Sequence, residues 1–500
     1  MNALIFALNL DFENQEDENN RSWEWWKHTA RGSGPYVVAE IFRNHNIEAE
    51  VIDFIPFWYD EEIHKFLEQR KHLDYKFIGF SSTFPPIHTV KKYVQIAKQY
   101  FPNAVIIVGG QQDFYESADA DYYINGFSEL ALPAVINHEL SGSDLDYENL
   151  YNGKLVKTIH GKYRTHLLPD YQVYYHPDDF ITQGDVLTIE IGRGCKFKCD
   201  FCNFSLIGLK DRSIRSSNDI RRELIRNYEM YGVTSYVIAD DTPNETTERL
   251  QALADAVEGL DFTPKFSGFI RLDLVVAHPE QIDLLIKSNF TQHYYGIETF
   301  HKQAGKLIGK GMDSNKIKKC LLELRERIIT ECGEYHGDVG MIIGLPGEPK
   351  ESIKQSYDWL LENWNGKGQN VIWWPLQISE NGLIDSKFSE NPERYGFTRI
   401  DIEDEERFEL AMMSKPNLKS FPWKHDNMDV MEAMDMFEEF TEPWWDSKRA
   451  FGYGESATAT ARFGNVNEPW DNPNYKTEFM EITYKLLKDY KTNKLKKYEN

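Results

Sequence analysis

Cys195-Lys-Phe-Lys-Cys199-Asp-Phe-Cys202 puts three cysteines into eight residues, directly after the strand-like run Asp185-Val-Leu-Thr-Ile-Glu-Ile191. The chain has five cysteines in all, and the other two, Cys320 and Cys332, lie far downstream. Three thiolates on one tight loop are a ligand set for an iron–sulfur cluster. A cubane cluster has four irons, so Cys195, Cys199 and Cys202 would leave one iron open to a small molecule. Zinc is the alternative, but a structural zinc site is closed by four ligands. No fourth cysteine lies near, and the closest preceding histidine, His176, is set apart by Pro177-Asp-Asp179. A disulfide framework suits small secreted chains rather than 500 residues with five cysteines.

Downstream of the loop, strand and helix patterns alternate. Strand candidates are 186–191, 235–239, 266–270, 294–297, 339–343 and 371–374, with amphipathic stretches between them. One helix is predicted from Ser217-Asn-Asp219 to Gly232, with its cap residues at the start and glycine at the end. Another, from Ser314, aligns Ile317, Cys320, Leu321, Leu324 and Ile328 on one face, so Cys320 reads as core rather than ligand. Six βα units predict a partial (β/α)6 barrel with its site at the carboxyl ends of the strands.

Upstream, residues 1–140 alternate in the same way. Strand runs fall at 3–8, 49–54, 77–80 and 104–108, with a shorter one at 122–124. The helix over 36–44 is expected to face inward with Val37, Val38, Ile41 and Phe42, and that over 87–100 with Val90, Val94, Ile96 and Ala97. This predicts an α/β, doubly wound parallel sheet, whose ligands sit beyond the carboxyl ends of strands. Two loops are placed there, Ser81-Ser82-Thr83-Phe-Pro-Pro86 and Gly109-Gly110-Gln111-Gln-Asp113. Their hydroxyls and glycines suit close approach of a polar ligand. Residues 141–184 read as a polar linker, 185–380 as the barrel, and 381–500 as a mainly helical, aromatic-rich C-terminal cap. The four lysines in 491–500 read as a frayed tail.

The formal charge of −24 opposes nucleic-acid polymers as the main partner, because phosphate binding needs clustered Lys and Arg. No window approaches the roughly 18–20 apolar residues needed to cross a bilayer. The start, Ala3-Leu-Ile-Phe-Ala-Leu8, follows no basic leader, so no signal peptide and a cytoplasmic location are expected.

Cys-x3-Cys-x2-Cys after a first strand, with Phe201 before the last cysteine, resembles the radical S-adenosylmethionine (SAM) superfamily. The resemblance implies a [4Fe-4S] cluster on Cys195, Cys199 and Cys202, with SAM chelated at the open iron and cleaved reductively to a 5′-deoxyadenosyl radical. It also assigns SAM-contact positions: Phe201 for adenine, Asp240 and Asp241 for the methionine ammonium, Arg271 for its carboxylate, Glu298 for the ribose and Gly344 for adenine. Asp240-Asp-Thr242 departs from the family's Gly-Gly-Glu-type segment by lacking its glycines. The order of features in 1–140 is similar to the cobalamin-binding domain that precedes many radical SAM cores. Ser81, Ser82, Thr83, Gly109, Gly110 and Gln111 would then face the corrinoid. Asp53 is followed by Phe-Ile-Pro rather than by the histidine that ligates cobalt in free-standing cobalamin domains.

Together these imply a cobalamin-dependent radical SAM methyltransferase acting on an unactivated carbon of a small molecule or peptide. Its one-electron donor would be an external flavodoxin- or ferredoxin-like protein. A radical cyclase or rearrangement enzyme without methyl transfer is the alternative, and a non-catalytic iron–sulfur redox protein the one outside catalysis. Methylthio transfer is disfavoured, because residues 1–190 contain no cysteine for a second cluster.

Overall fold

The computed structural model describes residues 1–8, 29–82, 87–110, 119–151, 155–159, 172–202, 213–380, 386–405, 407–408, 420–445, 453–467 and 472–499. Two compact units divide the chain. The first is Met1–Thr188 with Glu229–Val233 and Lys476–Asn500, and the second Ile189–Tyr228 with Thr234–Tyr475.

The first unit is built on strands β1 (Asn2–Leu8), β2 (Ala30–Arg31), β3 (Glu48–Ile52), β4 (Phe77–Ser82), β5 (Val105–Gly110), β6 (Tyr122–Asn125), β7 (Glu148–Tyr151), β8 (Leu155–Ile159) and β9 (Val186–Ile189). The main sheet runs β3-β1-β4-β5-β6-β8-β7, parallel except for the edge strand β7. Ala3–Leu8 is buried along its whole length, as expected of a central parallel strand covered on both faces. The segment read as a linker thus adds two strands to the sheet, while β2 pairs with β9 separately.

Helix α1 (Ser33–Asn44) buries Pro35, Tyr36, Ala39 and Phe42, one step round from the predicted face. The cause is a buried hydrogen bond: the Tyr36 hydroxyl donates to Asp53 Oδ2 at 2.7 Å and fixes the helix rotation, leaving Val37, Val38 and Ile41 half-buried. Helix α2 (Ile87–Tyr100) buries Val90, Val94, Ile96 and Ala97 as the pattern required.

The terminal tail is not frayed. Residues 476–496, the bulk of a helix over Tyr475–Lys496, pack into the first unit. The Asp53 N–H donates to Tyr490 Oη at 2.8 Å, and fully buried Lys494 lies 3.7 Å from Glu50. Arg70 forks onto the same carboxylate at 2.8 Å through Nε and Nη2. Burial alone would raise the Glu50 pKa, but Lys494 and Arg70 hold it at about 2.

The second unit carries a short antiparallel ribbon, β10 (Gly192–Arg193) with β11 (Ser213–Ile214), and five parallel strands. These are β12 (Ser235–Ile238), β13 (Lys265–Ile270), β14 (Phe290–Glu298), β15 (His336–Ile343) and β16 (Gln369–Pro375), side by side in chain order. With β9, all six strands predicted from sequence are present. The N–H of Ala239, just after β12, reaches the Ile189 carbonyl at 2.9 Å. The helix over Ser314–Cys332 buries the predicted set, and burial pushes the Cys320 thiol up to about 12, as befits core rather than ligand. A helix over Tyr453–Phe463 bonds the amino-terminal halves of two strands. Ser235 Oγ donates to the Ala457 carbonyl at 2.8 Å, and Gln292 Nε2 to Thr460 Oγ1 at 2.9 Å. That end of the strands is therefore closed by helix, and the cysteines lie at the other. Among the described residues no helix is long and apolar enough to cross a membrane.

Candidate functional site

The cysteine loop leaves the ribbon at Gly194, whose φ of +88° is a left-handed turn suited to glycine directly before Cys195. A 3.2 Å bond from the Cys202 N–H to the Cys199 carbonyl closes the loop. All five cysteines are free thiols, and Cys199 is buried while Cys195 and Cys202 are half-exposed.

Arg271, at the end of β13, meets this loop. Its Nη1 donates to Cys199 Sγ at 3.3 Å, and its Nε and Nη2 fork onto Asp273 at 3.0 and 2.6 Å. The guanidinium carbon stands 3.7 Å from the centre of the Phe197 ring. Burial works to lower the Arg271 pKa, but Asp273 and Cys199 outweigh it and raise it, so the cation is secure.

Phe201 and Glu298 are brought together by Lys310, a residue the sequence reading did not single out. Its ammonium donates to Glu298 Oε1 at 2.9 Å and to the Gly296 carbonyl at 2.6 Å, and lies 5.5 Å from the centre of the Phe201 ring. The signal available in sequence was its glycine flanks, Gly309-Lys-Gly311, which let this turn lie against the cysteine loop. Glu298 has a φ of +68°, a strained conformation for a non-glycine residue and one found at ligand-holding positions.

Asp240 is turned inward. Its Oδ1 accepts the Ile191 N–H at 2.9 Å, and Oδ2 is 3.5 Å from Arg249. Burial pushes the Asp240 carboxyl up to about 8, with Arg249 and the Ile191 N–H pulling it down. Asp241 is exposed, and Thr242 stands 3.5 Å from Cys195 Sγ. The described contacts therefore tie Asp240 to the strand ends rather than to the cysteine sulfurs. Gly344 has a φ of +97°, and a Cβ there would sit 2.2 Å from the Trp423 indole, so glycine is required on both counts. Nearby, burial raises the Glu348 carboxyl to about 7 despite hydrogen bonds from Thr299 at 2.7 Å and Ser352 at 3.3 Å.

In the first unit, Ser81 and Ser82 end β4, and Gly109 and Gly110 end β5, with Ser81 and Gly109 in register. Thr83 and Gln111 lie outside the described residues, as do the rest of 83–86 and 111–118. The half-exposed backbone at Ser81, Gly109, Gly110 and Gly126 suits approach of a large planar ring. Asp53 is bound by Tyr36, the Phe54 N–H at 2.7 Å and Tyr490, so the turn where free-standing cobalamin domains place a histidine is here spent on packing.

No three His, Cys, Asp or Glu side chains among the described residues converge on one metal ion. A multi-iron cluster takes one thiolate at each iron and needs no such convergence, so Cys195, Cys199 and Cys202 fit it as a donor set.

Residues 189–360 match the radical SAM superfamily. The anaerobic magnesium-protoporphyrin IX monomethyl ester cyclase of Rubrivivax gelatinosus is 20% identical over 344 residues, 64% of this chain and 60% of the relative. The chain therefore spans about 60% of the length of that curated relative. The cytidylyl-2-hydroxyethylphosphonate methyltransferase of Streptomyces wedmorensis is 28% identical over 186 residues, covering 34% of this chain and 32% of the relative. Among solved structures, the radical SAM methyltransferase TsrM of Kitasatospora setae, with cobalamin and a [4Fe-4S] cluster bound, aligns with a TM-score of 0.65 at 13% identity. That alignment covers 97% of this chain and all of TsrM. The cobalamin-dependent radical SAM enzyme OxsB aligns with a TM-score of 0.54 at 15% identity, over 99% of this chain and 71% of its own. The fold of this chain is thus similar to that of those enzymes.

Proposed function

We propose, for a chain that belongs to the radical SAM superfamily through residues 189–360, the reductive cleavage of SAM coupled to cobalamin-dependent methyl transfer onto an unactivated carbon. The observation that carries this reading is the cysteine loop at the end of the first barrel strand, with the Arg271 guanidinium on Cys199 Sγ. When bound, the cluster supplies the electron that splits SAM, and cobalamin carries the methyl group.

This chain's own residues bind and orient. Cys195, Cys199 and Cys202 hold the cluster. Arg271, its Nε and Nη2 locked by Asp273 and its plane stacked on Phe197, offers its remaining N–H groups and a fixed positive charge to the methionine carboxylate of SAM. Glu298 accepts the ribose hydroxyls with Lys310 holding its other contacts in place, and Phe201 presents a flat apolar face to adenine. Asp240 keeps the strand ends in register through Ile191 and Arg249 rather than meeting the ligand directly. In the first unit, the ends of β4 and β5 present backbone and the small side chain of Ser81 to the corrinoid. An external flavodoxin- or ferredoxin-like protein supplies the electron, and the substrate is a small molecule or peptide. The cobalamin-bound state of TsrM and the methyltransferase relative support methyl transfer.

The cyclase relative, which aligns over 64% of this chain, favours a second reading in which SAM is cleaved without methyl transfer. Anaerobically reconstituted protein is incubated with methyl-labelled SAM, dithionite and cobalamin in native extract. 5′-Deoxyadenosine together with labelled product is the expected result. 5′-Deoxyadenosine without label in any product selects the cyclase-type reading. An intact cluster that yields neither rejects both.

A further inference from the structure

Asp200 sits between two of the cluster cysteines, yet both of its carboxylate oxygens are taken by a segment nearly 190 residues away. Lys387 Nζ forms an ion pair with Oδ1, and the Tyr395 hydroxyl donates to Oδ2 at 2.8 Å. Lys387 reaches the loop backbone as well. Its own N–H donates to the Asp200 carbonyl at 3.1 Å, and its Nζ to the Lys198 carbonyl at 3.1 Å. Four bonds therefore run from one short turn, 386–395, to residues 198–200.

The turn is itself rigid. Ser386 Oγ caps it by accepting the Ser389 N–H at 3.2 Å, and Asn391 Oδ1 accepts the Arg394 N–H at 3.1 Å. Buried Phe388 packs edge-on against Tyr395 at 4.6 Å and Phe397 at 5.8 Å between ring centres. Phe397 in turn meets Trp423 at 5.5 Å, and Trp423 fills the space beneath Gly344. Antiparallel pairing of Thr398 with Lys424 and of Arg399 with Trp423 joins the two stretches. One continuous run of polar and aromatic contacts thus connects the cysteine loop to the glycine turn after β15.

We infer that Lys387 and Tyr395, acting through Asp200, are positioning residues that set the shape of the cluster loop and the reduction potential of the cluster it holds. This rests on the radical SAM reading above. The physical ground is that cluster potentials follow net charge, hydrogen bonding and exposure around the ligands. Asp200 brings a negative charge into the loop, and Lys387 cancels it. Deleting one member of the pair shifts the local charge in the opposite direction to deleting the other.

The test is an EPR-monitored redox titration of the full chain, anaerobically reconstituted with iron and sulfide, with iron and sulfide content measured in parallel. Lys387→Met leaves the Asp200 charge uncompensated and is expected to move the potential negative. Asp200→Asn leaves the Lys387 charge and is expected to move it positive. Tyr395→Phe keeps both charges and should give the smallest shift. If Lys387→Met folds, by circular dichroism, but holds less than half the parent's iron while Lys387→Arg restores it, the positioning role is supported by occupancy instead. Parent-like iron content and unchanged potentials in all three variants overturn the inference, as do shifts of the same sign for Lys387→Met and Asp200→Asn. A parent protein that forms no [4Fe-4S] signal rejects the radical SAM reading itself, which keeps the two failures apart.

Discussion

The carboxyl ends of β12–β15 and those of β4–β6 are the same position on two parallel sheets, but they are furnished in opposite ways. The second unit places charged groups there and fixes each with a partner: Arg271 by Asp273, Glu298 by Lys310, Asp240 by Arg249. Among the described residues, the first unit places Ser81, Gly109, Gly110 and Gly126 there, with little side chain. A small zwitterion such as SAM is recognised by forks and point charges, which must be preorganised to be worth more than their hydration. A large flat cofactor is bound mainly by area and backbone contact, for which side chains are obstacles.

That contrast can be broken in several ways. Cys199→Ala should remove the cluster and abolish 5′-deoxyadenosine formation altogether, while cobalamin retention, followed by absorption, stays at the parental level. Arg271→Ala is expected to weaken SAM binding by about 10–100-fold, from the ~1.5–3 kcal/mol of a charge-assisted hydrogen bond. Arg271→Lys should not rescue it, because a point charge lacks the fork; equilibrium dialysis with labelled SAM measures both. Gly109→Leu tests the other sheet. An added Cβ there meets nothing nearer than the Ile124 carbonyl at 3.6 Å, so the strand should persist. Cobalamin should be lost with iron content unchanged, and parental corrinoid retention would contradict the assignment.

The smallest effect concerns pH. Burial raises the Glu348 carboxyl from 4.5 in the open chain to about 7 in the fold. Its stabilising contribution is then complete below about 4.5 and is lost as pH rises through about 7. Glu348→Gln should therefore flatten the fall in thermal stability between pH 5 and 8, leaving the variant closest to or above the parent at the alkaline end. A parallel pair of melting curves across that range would show the assignment to be wrong.

Much of this architecture was legible locally. Apolar runs such as Ala3–Leu8 and Val339–Ile343 become strands because a covered parallel strand is buried on both faces. The row Ile317, Cys320, Leu321, Leu324 and Ile328 becomes a buried helix face because 3.6-residue spacing aligns it. The apolar pattern of helix α1 points one step out of rotation, since Val37, Val38 and Ile41 outweigh Tyr36 locally, while it is the Tyr36 hydroxyl that bonds Asp53. The lysine-rich end looks like solvent-exposed chain, because nothing local announces that Glu50, itself bonded by Tyr75, waits beside Lys494 and Lys497.

By itself, then, the sequence determined the three cysteines on one loop, the strand that delivers them and the order of strand-end residues behind them. Each of these depends on neighbours within a few positions, where spacing and side-chain chemistry suffice. Only the tertiary structure decided what those residues touch. It put Arg271 on Cys199, Lys310 between Glu298 and Phe201, and Lys387 with Tyr395 on Asp200. Such pairs are separated by 72 residues for Arg271 and Cys199 and by 187 for Lys387 and Asp200. Contacts at that range follow from how the whole chain closes its core, and no local pattern encodes them.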